Sequence, residues 1–180
     1  LTVSTLPASH SWFHADEERI FSRLDAMSGF LDVLGRQTGR LMQLGLEPEP
    51  FGHFHDTDGA IRFFNCLRNR SRRPELIERH LGLTYDTCHF AILREEPEFT
   101  LSAWEENNIA LCKVQFSNAL ECRICGEEDL ERLRQFDDGV YFHQTSILHR
   151  EGSMLFPDLP NALAYGRDYA EEIRDSQWRI

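Results

Sequence analysis

Leu81-Gly82-Leu83-Thr84-Tyr85-Asp86-Thr87-Cys88-His89 is the stretch on which the reading of the whole chain turns. Its first part is apolar and β-prone and predicts a strand over Leu81–Thr87. The stretch becomes polar where that strand ends, with Asp86 and His89 three residues apart across a strand-to-loop transition.

The same change of period recurs on both sides of it. Upstream, Leu1–Leu6 reads as a strand ended by Pro7. Ile20, Leu24, Met27, Leu31 and Leu34 then fall at helical spacing, with Asp16, Glu17 and Glu18 in the first turn and Gly35 and Gly39 as stops. A strand over Leu41–Leu46 runs into Glu47-Pro48-Glu49-Pro50. Helices over 59–70 and Pro74–His80 follow.

Downstream, Pro97 suits the first turn of a helix that uses Phe99, Leu101 and Trp104 and stops at Asn107-Asn108. Ile109–Phe116 reads as a strand, Glu127–Phe136 as a helix and Val140–Thr145 as a short extended piece. A last helix over 160–174 has Asp158 as its cap, and Trp178-Arg179-Ile180 begins a further strand.

Alternating strands and helices predict a parallel sheet with crossover helices. No Gly-x-Gly-x-x-Gly or Gly-x-x-x-x-Gly-Lys follows any strand, which weakens the nucleotide-binding open sheets. The expected fold class is therefore α/β, a TIM-type (β/α)8 barrel, read as one domain over 1–180. Such a barrel takes about 250 residues. The chain would then hold about the fourth to seventh β/α units and the start of the last strand, with N- and C-terminal barrel segments missing.

Composition narrows the partners. A net charge of −11 opposes a nucleic-acid partner, and the one basic cluster, Arg68, Arg70, Arg72 and Arg73, lies where a helix should end. No apolar run reaches the ~18–20 residues of a membrane span. Five scattered cysteines form no disulfide framework and point to a reducing, cytoplasmic compartment. Cys122-Arg-Ile-Cys125 has no second pair to complete a structural zinc site. The sequence leaves open whether the chain forms an oligomer.

In a β/α barrel, functional groups gather at the carboxyl ends of the strands. Four consecutive ends carry such groups here: Ser9-His10, Glu47-Pro-Glu49, Asp86-Thr-Cys-His89 and Lys113-Val-Gln115-Phe-Ser117. Carboxylate oxygen with imidazole nitrogen suits a divalent metal: manganese, zinc or iron by ligand chemistry, with magnesium as a further candidate. Glu47 and His89 are the candidate proton carriers. Lys113 either steers an anionic substrate or pairs with Glu47. Gln115 is either a neutral metal ligand or a hydrogen-bonding residue of the mouth. His10 faces the mouth or serves the turn after Pro7, and His143 lines the site or packs. His53 and His55, flanking Phe54, form a weaker metal candidate.

Gly82-Leu-Thr-Tyr-Asp86-Thr-Cys-His89 resembles the Asp-Thr-x-His strand of the xylose-isomerase-like TIM barrels, and Leu46-Glu47-Pro-Glu49 resembles the strand before it. A narrower resemblance runs in order along the chain. Ser4-Thr-Leu-Pro-x-Ser-His10, Leu46-Glu-Pro-Glu-Pro50, Tyr85-Asp-x-Cys-His89, Lys113-Val-Gln-x-Ser117, Tyr141-Phe-His-Gln144 and Asp158-Leu-Pro-x-Ala-Leu163 are similar to the metabolite-traffic family of the Ebo operon.

The resemblance implies a barrel that handles a small polar, sugar-like metabolite, as an isomerase or epimerase or as a non-catalytic carrier. It implies Glu47 and Asp86 as metal ligands, and His89 as a ligand or a partner of a substrate hydroxyl. Gln115 stands where the superfamily usually has a histidine ligand. His10, Lys113, Ser117 and His143 become candidate substrate contacts.

Overall fold

The computed structural model describes residues 2–3 and 17–180. They divide into two compact units. Residues up to Phe90 and Glu95–Ser117 form one, and Ala91–Arg94 with Asn118–Ile180 form the other. Among the described residues no helix is long and apolar enough to cross a membrane.

The first unit is built on a parallel sheet in the order β1-β2-β3-β4: β1 (Thr2–Val3), β2 (Leu44–Leu46), β3 (Leu81–Asp86) and β4 (Ala110–Gln115). Helices α1 (Glu17–Thr38), α2 (Thr57–Arg70), α3 (Pro74–His80), α4 (Thr87–Leu93) and α5 (Pro97–Glu106) lie between or after these strands in sequence. Helix α1 buries the stripe Phe21, Leu24, Ser28 and Leu31, as its helical spacing predicts. It runs past Gly35 and stops before Gly39, whose φ of 68° is the left-handed conformation that favours glycine. Asp56 caps α2 by accepting from Gly59 N–H at 2.6 Å. Leu44, Leu46, Leu81, Leu83 and Tyr85 pack with Phe63, Phe64, Leu67, Ile77, Phe90 and Trp104 in one core.

Strand register sets the later geometry. Leu46 lies beside Leu83, and Asp86 lies beside Gln115, with an irregularity after Leu83. The paired Gly45 and Gly82 leave room for their neighbours. A Cβ on Gly82 would collide with the Ala110 carbonyl oxygen and with Cys112 Sγ.

The second unit corrects the expected TIM-type barrel. Its strands β5 (Glu121–Ile124), β6 (Thr145–His149), β7 (Gly152–Phe156) and β8 (Ser176–Arg179) make a separate antiparallel sheet in the order β5-β8-β6-β7. The parallel run stops at β4, and the described residues form no closed barrel. For β5 the physical reason is chain length. Parallel neighbours need a crossover of about a dozen residues, and only residues 116–120 separate β4 from β5. A two-residue connection, Arg150-Glu151, likewise makes β6 and β7 a hairpin.

Trp178, expected to open a barrel strand, instead sits in the antiparallel sheet with Cys122 on one side and Ile147 on the other. Two helices complete the unit: α6 (Glu127–Leu133), extended by a 3-10 turn over 134–136, and α7 (Leu159–Asp168). Asp158 caps α7, which ends earlier than its sequence pattern suggested. Ile124, Leu130, Ile147, Leu163 and Trp178 lie in this unit's own core.

Candidate metal and polar-ligand site

Because β2, β3 and β4 run parallel, their carboxyl ends share one edge of the sheet. That is the side on which open α/β sheets present ligands. Glu47 follows β2, Asp86 ends β3 and Gln115 ends β4. His89 is not on a strand or loop but in the first turn of α4, which starts directly after Asp86.

One ligand-type atom from each of Glu47, Asp86 and His89 lies within 4.8 Å of the others. All three are partly shielded; the side chains of His89 and Glu47 are only 19% and 16% exposed.

Hydrogen bonds position each member. Asp86 Oδ1 accepts from Ser117 Oγ at 2.5 Å and from Cys88 N–H at 2.9 Å, and its Oδ2 accepts from Gln115 Nε2 at 2.7 Å. Gln115 Nε2 also donates to Glu47 Oε1 at 2.9 Å, while its Oε1 accepts from Lys113 Nζ at 2.6 Å. His89 Nδ1 lies 3.1 Å from the Pro48 carbonyl oxygen and 3.6 Å from Glu47 Oε1. A carbonyl only accepts, so in this contact Nδ1 carries the proton and Nε2 keeps the lone pair. Thr87 Oγ1 donates to the Ser117 carbonyl at 2.6 Å and accepts from Ser117 N–H at 2.8 Å, tying the start of α4 to the chain beyond β4.

The two carboxylates differ in proton affinity. Burial raises the pKa of Glu47, helped by the charge of Asp86, and this outweighs the lowering by His89 and the Gln115 hydrogen bond. Burial also acts to raise Asp86. There the Ser117 hydrogen bond, the His89 charge and the bonds from Cys88 and Gln115 prevail, so its pKa falls below the ordinary value. Two acids side by side thus divide into a reluctant and a willing anion. Burial, followed by the Asp86 charge, pushes the Cys88 thiol up, which keeps it protonated beside the cluster.

The structure brings together most of the residues singled out in the sequence, with altered roles. Ser117 braces Asp86, and Lys113 reaches Glu47 only through Gln115. The Gln115 amide presents its nitrogen, not its oxygen, to the carboxylates. His143 belongs to the other unit, where its backbone N–H donates to Asp158 at 2.9 Å. His10 lies outside the described residues. His53 pairs with Glu17 and His55 with Asp56, each at 3.3 Å, beside a cavity of about 300 Å³ apart from this cluster. The sequence reading missed the Pro48 carbonyl and Thr87. A backbone acceptor leaves no mark in a residue pattern, whereas Thr87 was visible beside Asp86.

A divalent cation fits three of these groups by donor chemistry: two carboxylate oxygens and an imidazole nitrogen, close together and half-buried. Gln115 does not fit as a ligand in the orientation it holds. Compared with known protein families, curated proteins and solved structures, the chain matches none.

Proposed function

We propose that the chain holds a divalent cation with Glu47, Asp86 and His89 and acts there on a small, hydroxyl-rich metabolite, moving a proton as sugar isomerases and epimerases do. The observation that carries this reading is the convergence of the three ligand atoms within 4.8 Å at the carboxyl edge of a parallel sheet. The roles of Glu47 and Asp86 are also those implied by the sequence resemblance, taken without its barrel.

A bound cation would supply polarisation of a hydroxyl or carbonyl oxygen. The remaining chemistry falls to the chain's own side chains. His89, whose tautomer Pro48 fixes, would give its one lone pair, on Nε2, to the cation and so is not the proton acceptor. Glu47, raised by burial, is the carboxyl better suited to carrying a proton; Asp86, lowered by its donors, stays anionic.

Calorimetric titration of the full chain with Mn²⁺ or Zn²⁺ tests the site. Micromolar binding is expected, lost in Glu47→Gln and Asp86→Asn variants that keep the circular dichroism of the parent. Absence of binding by the parent, or equal binding by the variants, sinks the proposal.

A second reading is favoured by Gln115, whose amide nitrogen satisfies both carboxylates without a cation. In it the site binds the metabolite and does no chemistry. Solvent deuterium incorporated into a bound aldose or ketose supports the enzyme; binding without exchange supports the carrier.

A further inference from the structure

Gln115 stands between two opposite kinds of partner. Its Nε2 donates to Glu47 at 2.9 Å and to Asp86 at 2.7 Å, and its Oε1 accepts a hydrogen bond from Lys113 Nζ at 2.6 Å. Carboxylates accept and an ammonium donates, so the partners themselves decide which end of the amide is which. Turned over, the amide would set NH₂ against the Lys113 ammonium and its oxygen against two carboxylates.

A divalent cation between Glu47 and Asp86 reverses half of that preference. It repels the NH₂ end and attracts the carbonyl oxygen. The amide must then withdraw or turn over, and the contact that resists turning is the one with Lys113. The bond is charge-assisted, although Lys113 is exposed and solvent screens part of its strength.

Resting on the proposed cation site, we infer that Lys113 is its positioning residue. Lys113 holds the Gln115 amide nitrogen-inward, so that Gln115 serves as a built-in substitute for a cation, and release of Lys113 makes the Gln115 oxygen available as a fourth ligand. The pair then sets how tightly the site takes a divalent ion. It keeps that binding weak and reversible compared with a site whose fourth ligand faces inward permanently. The strand spacing makes this geometric. Lys113 and Gln115 are two apart on β4, so both side chains leave the same face of the strand.

Removing a positive charge beside a cation site tightens it by simple electrostatics, so the test must separate charge from amide orientation. Mn²⁺ is titrated calorimetrically into the full chain as the parent, Lys113→Met, Gln115→Leu and the double variant. Lys113→Met is expected to bind about tenfold tighter than the parent, the affinity equivalent of one charge-assisted hydrogen bond. In the Gln115→Leu background the same substitution should change affinity only about twofold, the residue of the charge effect at an exposed lysine.

A readout free of metal accompanies it. In the ¹⁵N-labelled metal-free chain, the Gln115 side-chain amide protons should be shifted and protected from exchange by two carboxylates, and Lys113→Met should relax both signs. Equal gains in both backgrounds overturn the inference, as does an unshifted, fast-exchanging Gln115 amide, while the parent's own binding leaves the cation site standing. If neither the parent nor any variant binds Mn²⁺, the cation site and this inference fall together.

Discussion

Replacing Asp86 with asparagine keeps the size of the side chain and removes one acceptor. The native carboxylate takes three hydrogen bonds: two at Oδ1, from Ser117 and Cys88, and one at Oδ2, from Gln115 at 2.7 Å. An asparagine can retain the two at Oδ1. Its NH₂ then meets the Gln115 NH₂, and Gln115 cannot turn away without losing Lys113. One charge-assisted hydrogen bond becomes a donor–donor contact at a position only 9% exposed. We expect a loss of about 2 kcal/mol from the parallel unit, within the range for hydrogen bonds to charged groups. At a typical urea dependence that moves the midpoint down by about 1 M.

Because the chain has two units, a single probe of global unfolding would mix them. Urea-dependent amide exchange at Leu83 and Tyr85 on β3 reports the relevant one. The loss should also depend on pH. The Asp86 pKa is lowered in the fold, so its stabilisation is present above the unfolded value and disappears as pH falls through the folded one. The gap between parent and Asp86→Asn should therefore be largest at neutral pH and close in acid. An unchanged midpoint at pH 7, or a gap that does not narrow in acid, would refute this account of the cluster.

Three further outcomes follow from the same geometry. Glu47 has a raised pKa, so above the folded value its ionised form weakens the fold relative to the unfolded chain. Glu47→Gln should stabilise the parallel unit at pH 7 by β3 amide exchange, lose the gain in acid, and abolish cation binding. Gly82→Ala would drive a Cβ against the Ala110 carbonyl and Cys112, and should destabilise the β3–β4 pairing by about 3 kcal/mol, at the upper end of overpacking losses, measured by the same exchange. Burial, then Glu95, Glu96 and Glu98, pushes the Tyr85 phenol up to about 12. An ultraviolet titration should show a late step that Tyr85→Phe removes, and Glu95→Gln should bring that step down without restoring the ordinary value, since burial is the larger cause.

How much of this was legible beforehand depends on how local the determining interaction is. The strands over Leu44–Leu46 and Leu81–Asp86, the helix beginning at Pro74 and the Pro97 helix follow from period, proline placement and acid-rich first turns, all encoded within a few residues. The convergence of Glu47 and Asp86 was also readable, because parallel strands put their carboxyl ends on one edge. The hairpin over Thr145–Phe156 was readable in principle from two apolar segments around Arg150-Glu151, yet its place in a second sheet was not.

Sequence alone therefore determined the parallel βαβ run and the residue types at its carboxyl edge, since both arise from patterns two to four residues long. Only the tertiary structure decided that this run stops at β4, because strand partnership depends on which distant segments complete each other's hydrogen bonds and core. Trp178 illustrates it: its apolar context marks a strand, but Cys122 and Ile147, 56 and 31 positions earlier, make that strand antiparallel. The same holds for Gln115, whose residue type permits an oxygen ligand. Lys113 on one side and two carboxylates on the other turn its nitrogen inward.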